Sequence, residues 1–284
     1  MITFTTLEKK FHAIGARVHL GSRPKSVSRF SSPLPFSIDI QRDQGGEFFD
    51  IGVSPVAKGL KLEVLDIQEE DQHLLLLAKN PPSTGSGIGK PNSFQKHKFL
   101  CGHDERHWFV AAIPESSYGV CNVRLAKNAL KPAMVLQELS RKGIHPKNQN
   151  RRKNKGYCRQ GEWFFIPNPD LNPDSWRVLR NEPITRGNGG KPHCLEYAYR
   201  LGGTRVYVSA SHSQGLSEAQ YRGYLETHPK SMTSFRVMIK EPELYAKGRV
   251  THADHKTVIL EGWHRVLMNT ENQARAMSNV VFLD

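Results

Sequence analysis

Two short segments of the chain concentrate side chains that can hold a metal ion or transfer a proton. The first, residues 101–107, reads CGHDERH, and the second, residues 252–255, reads HADH. Neutral imidazole and carboxylate are common ligands of catalytic divalent metals, and histidine also acts as a general base near neutral pH. The sequence therefore predicts catalytic candidates in both segments: His103, Asp104, His107, His252, Asp254 and His255.

A divalent metal is the cofactor that these segments would hold, and its chemistry would be activation of water for attack on phosphorus. The predicted metal ligands are His103, His107, His252 and His255. Neither segment matches HExxH or the zinc-deaminase signature, and loop His and Asp side chains often only complete the hydrogen bonds of a turn. A metal-dependent hydrolase, specifically a nuclease, is one hypothesis, and a structural role for the second segment is its alternative.

The charge of the chain favours a polyanionic partner. Forty Lys and Arg against 27 Asp and Glu give a net charge of +13. Residues 141–200 hold 13 of the basic residues and only 5 of the acidic ones. Such a field attracts nucleic acid through its phosphates. The predicted nucleic-acid-binding residues are Lys147, Arg151, Arg152, Lys153, Lys155, Arg159, Trp163, Arg186 and Lys191.

Three of these residues are predicted for reasons other than the dense basic run. Trp163 offers a face on which an unpaired base can stack, although a tryptophan in an apolar segment is more often part of the core. Arg186 and Lys191 belong to a glycine-rich segment, residues 185–193, whose backbone N–H groups can approach an anion. That segment is not a Walker A motif, because Pro192 follows Lys191.

These residues support three hypotheses of function. The first is a basic nucleic-acid-binding protein without chemistry of its own, acting as a subunit of a DNA- or RNA-handling assembly. The second is the metal-dependent nuclease described above. The third is a protein-interaction subunit whose charge meets an acidic protein partner.

The sequence patterns around these residues predict the elements that must position them. Together they indicate an α+β fold, with a β-rich body of mostly antiparallel strands and a few short capped helices. Residues 36–40 alternate apolar and polar side chains, and residues 73–78 form an apolar run typical of a central strand. Asn122 and the capping-box residues Ser217 and Thr270 mark predicted helix starts. The predicted domains are an N-terminal β-rich region ending in a helical pair (1–144), a basic linker or loop (145–156) and a C-terminal α+β region (157–284).

Several protein classes are disfavoured by composition. The four cysteines form no CxxC pair, which argues against a disulfide framework and a CxxC-type zinc finger. No apolar stretch approaches the ~18 residues of a membrane span, and the first residues lack the apolar core of a secretory signal. We therefore expect a cytoplasmic protein with no membrane partner.

Overall fold

A computed structural model of the chain confirms the α+β class and the β-rich body. Strands form most of the regular structure, and most of their pairings are antiparallel. No helix among the described residues is both long and apolar enough to cross a membrane. The structure describes residues 4–22, 35–55, 57, 59–80, 95–186, 191–229, 231–275, 277 and 280–281.

The elements alternate in a pattern that places helices between groups of strands. Those of the first half are α1 (Phe4–Ala13), β1 (Arg17–Gly21), β2 (Phe36–Asp43), β3 (Gly46–Val53), β4 (Lys61–Gln68), β5 (His73–Asn80), β6 (Gln95–Asp104), β7 (His107–Ile113), α2 (Val123–Ala129) and α3 (Ala133–Arg141). Those of the second half are β8 (Cys158–Gln160), β9 (Trp163–Pro167), β10 (Leu179–Ile184), β11 (His193–Leu201), β12 (Thr204–Ser209), β13 (His212–Leu216), α4 (Glu218–Thr227), β14 (Arg236–Lys240), β15 (Glu243–Thr251), β16 (Val258–Met268) and β17 (Val280–Val281).

Two four-stranded sheets in the first half enclose the largest apolar core. Their strand orders are β1-β3-β2-β17 and β4-β5-β6-β7. The core combines Phe11 of α1 with Phe36 and Phe49 of one sheet and Phe99 of the other, all fully buried. β17 pairs with β2, so residues near the end of the chain return to the N-terminal sheet. The chain thus crosses back over the predicted division at residues 145–156.

The predicted central strand at residues 73–78 is confirmed as β5. It lies between β4 and β6, and all four of its leucines, residues 74–77, are buried. Leu74 and Leu76 face the core between the two sheets, whereas Leu75 faces α2 on the other side of its sheet. A strand covered on both faces reads as a continuous apolar run, which explains why this segment shows no alternation.

The second half is organised by a six-stranded sheet, ordered β10-β11-β15-β16-β9-β8. Phe165 and Leu195 pack on one face of it, and Phe164 packs with Val135 of α3 near the other. A separate three-stranded sheet, β13-β12-β14, packs against α4, where Tyr207 stacks on Tyr221. The six-stranded sheet supplies most of the candidate site.

Two of the three predicted caps are confirmed. Asn122 Oδ1 accepts the backbone N–H of Leu125, and Ser217 forms the complete capping box that begins α4. The cap at Thr270 is wrong: a single 3-10 turn, Glu271–Gln273, follows it without a side-chain cap. The hydroxyl of Thr270 instead donates to the carbonyl of Ala129, 2.7 Å away, so a tertiary contact displaces the cap.

Candidate metal centre and cationic cavity

Three histidines from two parts of the six-stranded sheet converge at one point. His193 is the first residue of β11, and His252 and His255 lie in the loop that joins β15 to β16. β11 pairs with β15 so that Cys194 faces Thr251, which brings His193 beside that loop. One ligand atom from each of the three imidazoles lies within 4.8 Å of the others. We call these residues the three-histidine cluster.

Hydrogen bonds fix the tautomer of the buried His193. Gln160 is 2% exposed, and its Nε2 donates to the backbone carbonyls of Val250 at 3.1 Å and Lys256 at 2.7 Å. Its Oε1 therefore faces Nδ1 of His193, 2.9 Å away, and accepts that proton. In a neutral His193 with this tautomer the lone pair lies on Nε2, the nitrogen 3.6 Å from Glu162 Oε2. In metal sites a ligand imidazole likewise donates its other ring N–H to a fixed oxygen, usually that of a carboxylate, a backbone carbonyl or water.

The other two rings are held less firmly. His252 Nε2 donates to the carbonyl of Lys191 at 3.2 Å, and its Nδ1 accepts the backbone N–H of Asp254 at 3.1 Å. Both contacts lie at the long end of the normal range, and in this tautomer Nδ1 is the nitrogen whose lone pair a metal would take from the Asp254 N–H. Nδ1 of His255 is buried, and Glu105 Oε2 lies 3.5 Å from it, longer than a normal hydrogen bond. With the proton of His255 on Nδ1 toward Glu105, Nε2 offers its lone pair on the side of Gly161.

Electrostatics favour positive charge at this point and the neutral forms of His252 and His255. Burial lowers the pKa of both His252 and His255, and the neighbouring His193 lowers each further. Glu162 Oε2 lies 3.6 Å from His193 Nε2. Burial alone would raise the pKa of Glu162, but a hydrogen bond and a charge attraction, both requiring a proton on His193 Nε2, outweigh it and bring the pKa to about 2. The ionised Glu162 carboxylate thus attracts positive charge to this nitrogen, as a proton or, in its place, a metal ion.

Gly161 leaves the space in which the rings meet. It lies in the turn between β8 and β9 with φ +55°, a conformation that favours glycine. A Cβ atom at this position would lie 2.8 Å from His255 Nε2 and 3.2 Å from His193 Cε1. Any larger residue would therefore displace two members of the three-histidine cluster.

The two segments singled out from the sequence come together. Asp104 ends β6, His107 begins β7, and the tight turn between them points at the 252–255 loop. Glu105 Oε2 accepts the backbone N–H of Lys256 at 2.8 Å. His107 Nε2 lies 3.8 Å from Asp254 Oδ1, while its Nδ1 donates to Glu47 Oε1 at 2.6 Å. The loop is therefore tied to the β6–β7 turn on one side and to β11 on the other.

The predicted metal ligands divide into two pairs. His252 and His255 belong to the three-histidine cluster. His107 lies next to it but is oriented by Glu47, and the ring of His103 packs edge-on against Trp108, 5.0 Å away. The third member, His193, was missed because β11 was not predicted. The available signal was the alternation of large apolar and aromatic residues with smaller or polar ones in HCLEYAYRL, which is typical of a strand.

The predicted nucleic-acid-binding residues occupy different environments. Arg152 forms ion pairs with Asp104 and Glu105, and Arg159 pairs with Asp104 at 3.3 Å. Trp163 is only 8% exposed, within the core of the six-stranded sheet, which leaves no open face for a base. The exposed ones are Lys147, Arg151, Lys153, Lys155 and Lys191. Arg186 is half-buried, and residues 187–190 of its glycine-rich segment lie outside the described part of the chain.

A cavity of about 890 Å³ adjoins the three-histidine cluster and is lined by basic side chains. Its walls also carry seven carboxylates, and one of them, the buried Glu271, pairs with Arg186 at 3.3 Å. The acidic lining residues are Asp39, Glu47, Asp71, Asp104, Glu162, Asp254 and Glu271. Burial raises the pKa of Glu271 even though Arg186 opposes that effect. The cationic lining residues are Arg42, Lys127, Lys131, Lys147, Arg151, Arg152, Arg159, Arg186 and Lys191.

Lys131 is the most buried cation of the cavity, at 4% exposure. Its Nζ donates to Asn128 Oδ1 at 2.8 Å and to Asn150 Oδ1 at 2.5 Å. Burial, followed by repulsion from Arg159 and Lys127, lowers the pKa of Lys131 to about 7. The folded protein thus releases this proton at a far lower pH than an exposed lysine would.

This shift predicts a pH-dependent contribution to stability. Between about pH 7 and 10.5 the unfolded chain retains the Lys131 proton that the folded protein has lost, so this contribution to stability rises with pH. The free energy of unfolding of the wild type minus that of Lys131→Met should increase by on the order of 3 kcal/mol from pH 7 to pH 10. Urea denaturation at several pH values measures it, and a difference independent of pH would contradict the shift.

Comparison of the chain with protein-family models, with curated proteins and with solved structures yields no match. What the site can do is therefore inferred from its own side chains.

Proposed function

We propose that this protein is a metal-dependent hydrolase that cleaves phosphodiester bonds in nucleic acid. The observation that carries the proposal is the three-histidine cluster, which combines close ligand atoms with an adjoining cationic cavity. Three protein ligands and an open position for water are typical of catalytic zinc, and imidazole suits that metal. We take Zn²⁺ as the metal that His193, His252 and His255 would hold.

The residues around the cluster match the needs of hydrolysis. Bound zinc would supply a water molecule acidified to a pKa near 7. His107 is the proton acceptor in this proposal: Glu47 holds its Nδ1, and its Nε2 faces the cluster's loop beside Asp254. Asp254 positions that loop, since its carboxylate contacts Lys191 at 3.1 Å and its backbone N–H contacts His252.

Nucleic acid is the proposed substrate because the chain is strongly basic and basic side chains outnumber carboxylates on the cavity walls, nine to seven. The net charge of +13 draws polyanions toward the surface, and arginine and lysine on the cavity walls complement phosphate. A cytoplasmic location belongs to the same proposal, supported by four cysteines that are all free.

The proposal is tested with protein stripped of metal by a chelator and reconstituted with Zn²⁺, Mn²⁺ or Mg²⁺. Labelled single- and double-stranded DNA and RNA are offered as substrates. We expect cleavage of at least one of them that requires metal and is fastest with Zn²⁺. Absence of cleavage of all four by protein carrying bound zinc would reject the hydrolase assignment.

A second candidate is a nucleic-acid-binding subunit without chemistry. It is favoured by the exposed side chains of Arg151, Lys153 and Lys155, which lie close together in sequence and make no ion pair among the described residues. Such residues dock onto phosphates without reading sequence. In this case the three-histidine cluster would have only a structural role.

Both candidates predict salt-dependent binding of nucleic acid to the segment that contains Arg151 and Lys153. Each phosphate contact contributes about 0.9 to the slope of log affinity against log salt. Arg151→Ala combined with Lys153→Ala should therefore reduce the slope by about 2, measured by fluorescence anisotropy with labelled oligonucleotides. Lys9→Ala with Lys10→Ala, a matched loss of two exposed charges on α1, should leave it unchanged. Undetectable binding at low salt would favour an acidic protein partner instead.

A further inference from the structure

The cations of the cavity fall into two groups when their partners are compared. Six of them are neutralised by carboxylates in or beside the cavity. These pairs are Arg42–Glu47, Lys127–Asp71, Arg152–Asp104, Arg159–Asp104, Arg186–Glu271 and Lys191–Asp254. The other three, Lys131, Lys147 and Arg151, contact no carboxylate among the described residues. Lys131, Lys147 and Arg151 are therefore the basic residues of the described cavity wall that have no carboxylate partner.

These three cations are close in the fold. Lys131 lies two residues after the end of α2, and its Nζ contacts Oδ1 of Asn150, the residue before Arg151, at 2.5 Å. Lys147 lies in the 3-10 turn, Pro146–Asn148, of the same loop. Lys131 is buried at the base of this group, whereas Lys147 and Arg151 are exposed.

The surroundings of Lys131 do not account for a buried positive charge. Its ammonium contacts two amide oxygens and, at 3.5 Å, the carbonyl of Lys127. Neutral oxygens compensate a buried charge less than a carboxylate does, so an ammonium held only by them destabilises the folded protein. The nearby cations Arg159 and Lys127 add repulsion. An anion between Lys131 and its cationic neighbours would remove both penalties.

We propose that Lys131, Lys147 and Arg151 form a phosphate-binding subsite in the cavity, distinct from the three-histidine cluster. The ligand is a phosphate group, either one on the backbone of a nucleic acid or one on a small phosphorylated molecule. The subsite rests on the proposed function, because it is read as the place where a phosphate beside the cleaved bond is held. It assigns a binding role to a buried lysine that the hydrolytic chemistry does not use.

The test measures binding of inorganic phosphate and of sulfate by calorimetry, with zinc content determined on the same samples. Sulfate does not titrate near pH 8, so proton uptake measured in two buffers reports on the protein alone. We expect wild type to take up close to one proton per sulfate as Lys131 becomes charged. Lys131→Met should lose that uptake and weaken phosphate binding at least 10-fold, while it retains zinc. Lys142→Met, an exposed lysine after α3, is the matched control and should bind as wild type does.

A second variant keeps the test decisive if Lys131→Met fails to fold. Lys147→Ala with Arg151→Ala changes only exposed side chains and should also weaken phosphate binding at least 10-fold. Phosphate affinity that is unchanged in both variants would overturn the subsite, even if zinc and cleavage are present. If the wild-type protein binds phosphate but no zinc, the hydrolase proposal is overturned and the phosphate subsite is not. Competition between phosphate and a short oligonucleotide assigns the subsite to nucleic acid, and its absence assigns it to small phosphorylated molecules.

Discussion

Replacing His193 with alanine should abolish zinc binding and hydrolysis together. His193 is the most buried member of the three-histidine cluster, and Gln160 engages its Nδ1, so Nε2 is the nitrogen that a metal would take in place of a proton. Loss of a residue that merely orients a ligand costs about 10- to 100-fold in metal affinity, so loss of a ligand itself should cost more than ~100-fold. Competition with a chromophoric zinc chelator measures the affinity, and the cleavage assay measures the activity.

The control for this variant is His12→Ala, which removes an exposed histidine from α1 and should leave zinc affinity unchanged. His193→Asn keeps a side-chain N–H that can reach Gln160 and so separates the loss of a ligand from the loss of a buried hydrogen bond. We expect His193→Asn to fold and to lack zinc. Wild-type zinc affinity in either His193 variant would show that the metal, if bound, lies elsewhere.

Alanine at Gly161 should damage the same site without touching a ligand. Its Cβ would lie 2.8 Å from His255 Nε2, so the imidazoles must shift apart. We expect zinc affinity to fall by roughly 10- to 100-fold, comparable to the loss of a residue that orients a ligand. The positive φ adds a stability cost of about 1–2 kcal/mol. Zinc titration and urea denaturation separate the two effects.

Gly143→Ala is the matched control, because Gly143 has φ +57° and nothing within 4 Å of the added Cβ. It should show the same loss of stability and no loss of zinc affinity. Equal zinc affinities in the two variants would contradict a metal at the point where the rings meet.

Local sequence signals were enough to predict the class of fold and several of its elements. The alternation at residues 36–40 and the apolar run at residues 73–78 each correspond to a strand, β2 and β5. The capping box at Ser217 formed because its hydroxyl accepts the Gln220 N–H while Gln220 Oε1 accepts the Ser217 N–H, both within one turn of the chain. At Thr270 the same motif failed, since the carbonyl of Ala129 captured the hydroxyl, and no local pattern reveals such a tertiary contact.

Only part of the candidate site could be predicted from the sequence. Spacing alone identified His252 and His255, because both lie in one short loop. His193 lies 59 positions before His252 and comes close to these two histidines only through the register of β11 on β15. The contact between His107 and Asp254 likewise depends on how the β6–β7 turn packs against that loop. Long-range register and packing are properties of the whole chain, and no segment considered alone contains them.

The roles of individual basic residues also required the structure. Arg151 and Arg152 are neighbours with the same charge, yet Arg152 pairs with two carboxylates while Arg151 contacts none among the described residues. A count of charges along the sequence treats them alike. The positions of Asp104 and Glu105 distinguish them. Arg152 links the β6–β7 turn to the basic loop, whereas Arg151 remains available to bind phosphate.

The most direct test of the proposed metal centre is X-ray absorption spectroscopy at the zinc edge, on protein reconstituted with one equivalent of zinc. We predict first-shell scattering from nitrogen and oxygen at the ~2.0–2.1 Å typical of zinc–imidazole bonds. The outer-shell signature should correspond to three imidazoles, with the remaining position filled by water. Zinc that remains in solution after reconstitution, or a first shell containing sulfur or lacking imidazole, would contradict a centre formed by His193, His252 and His255.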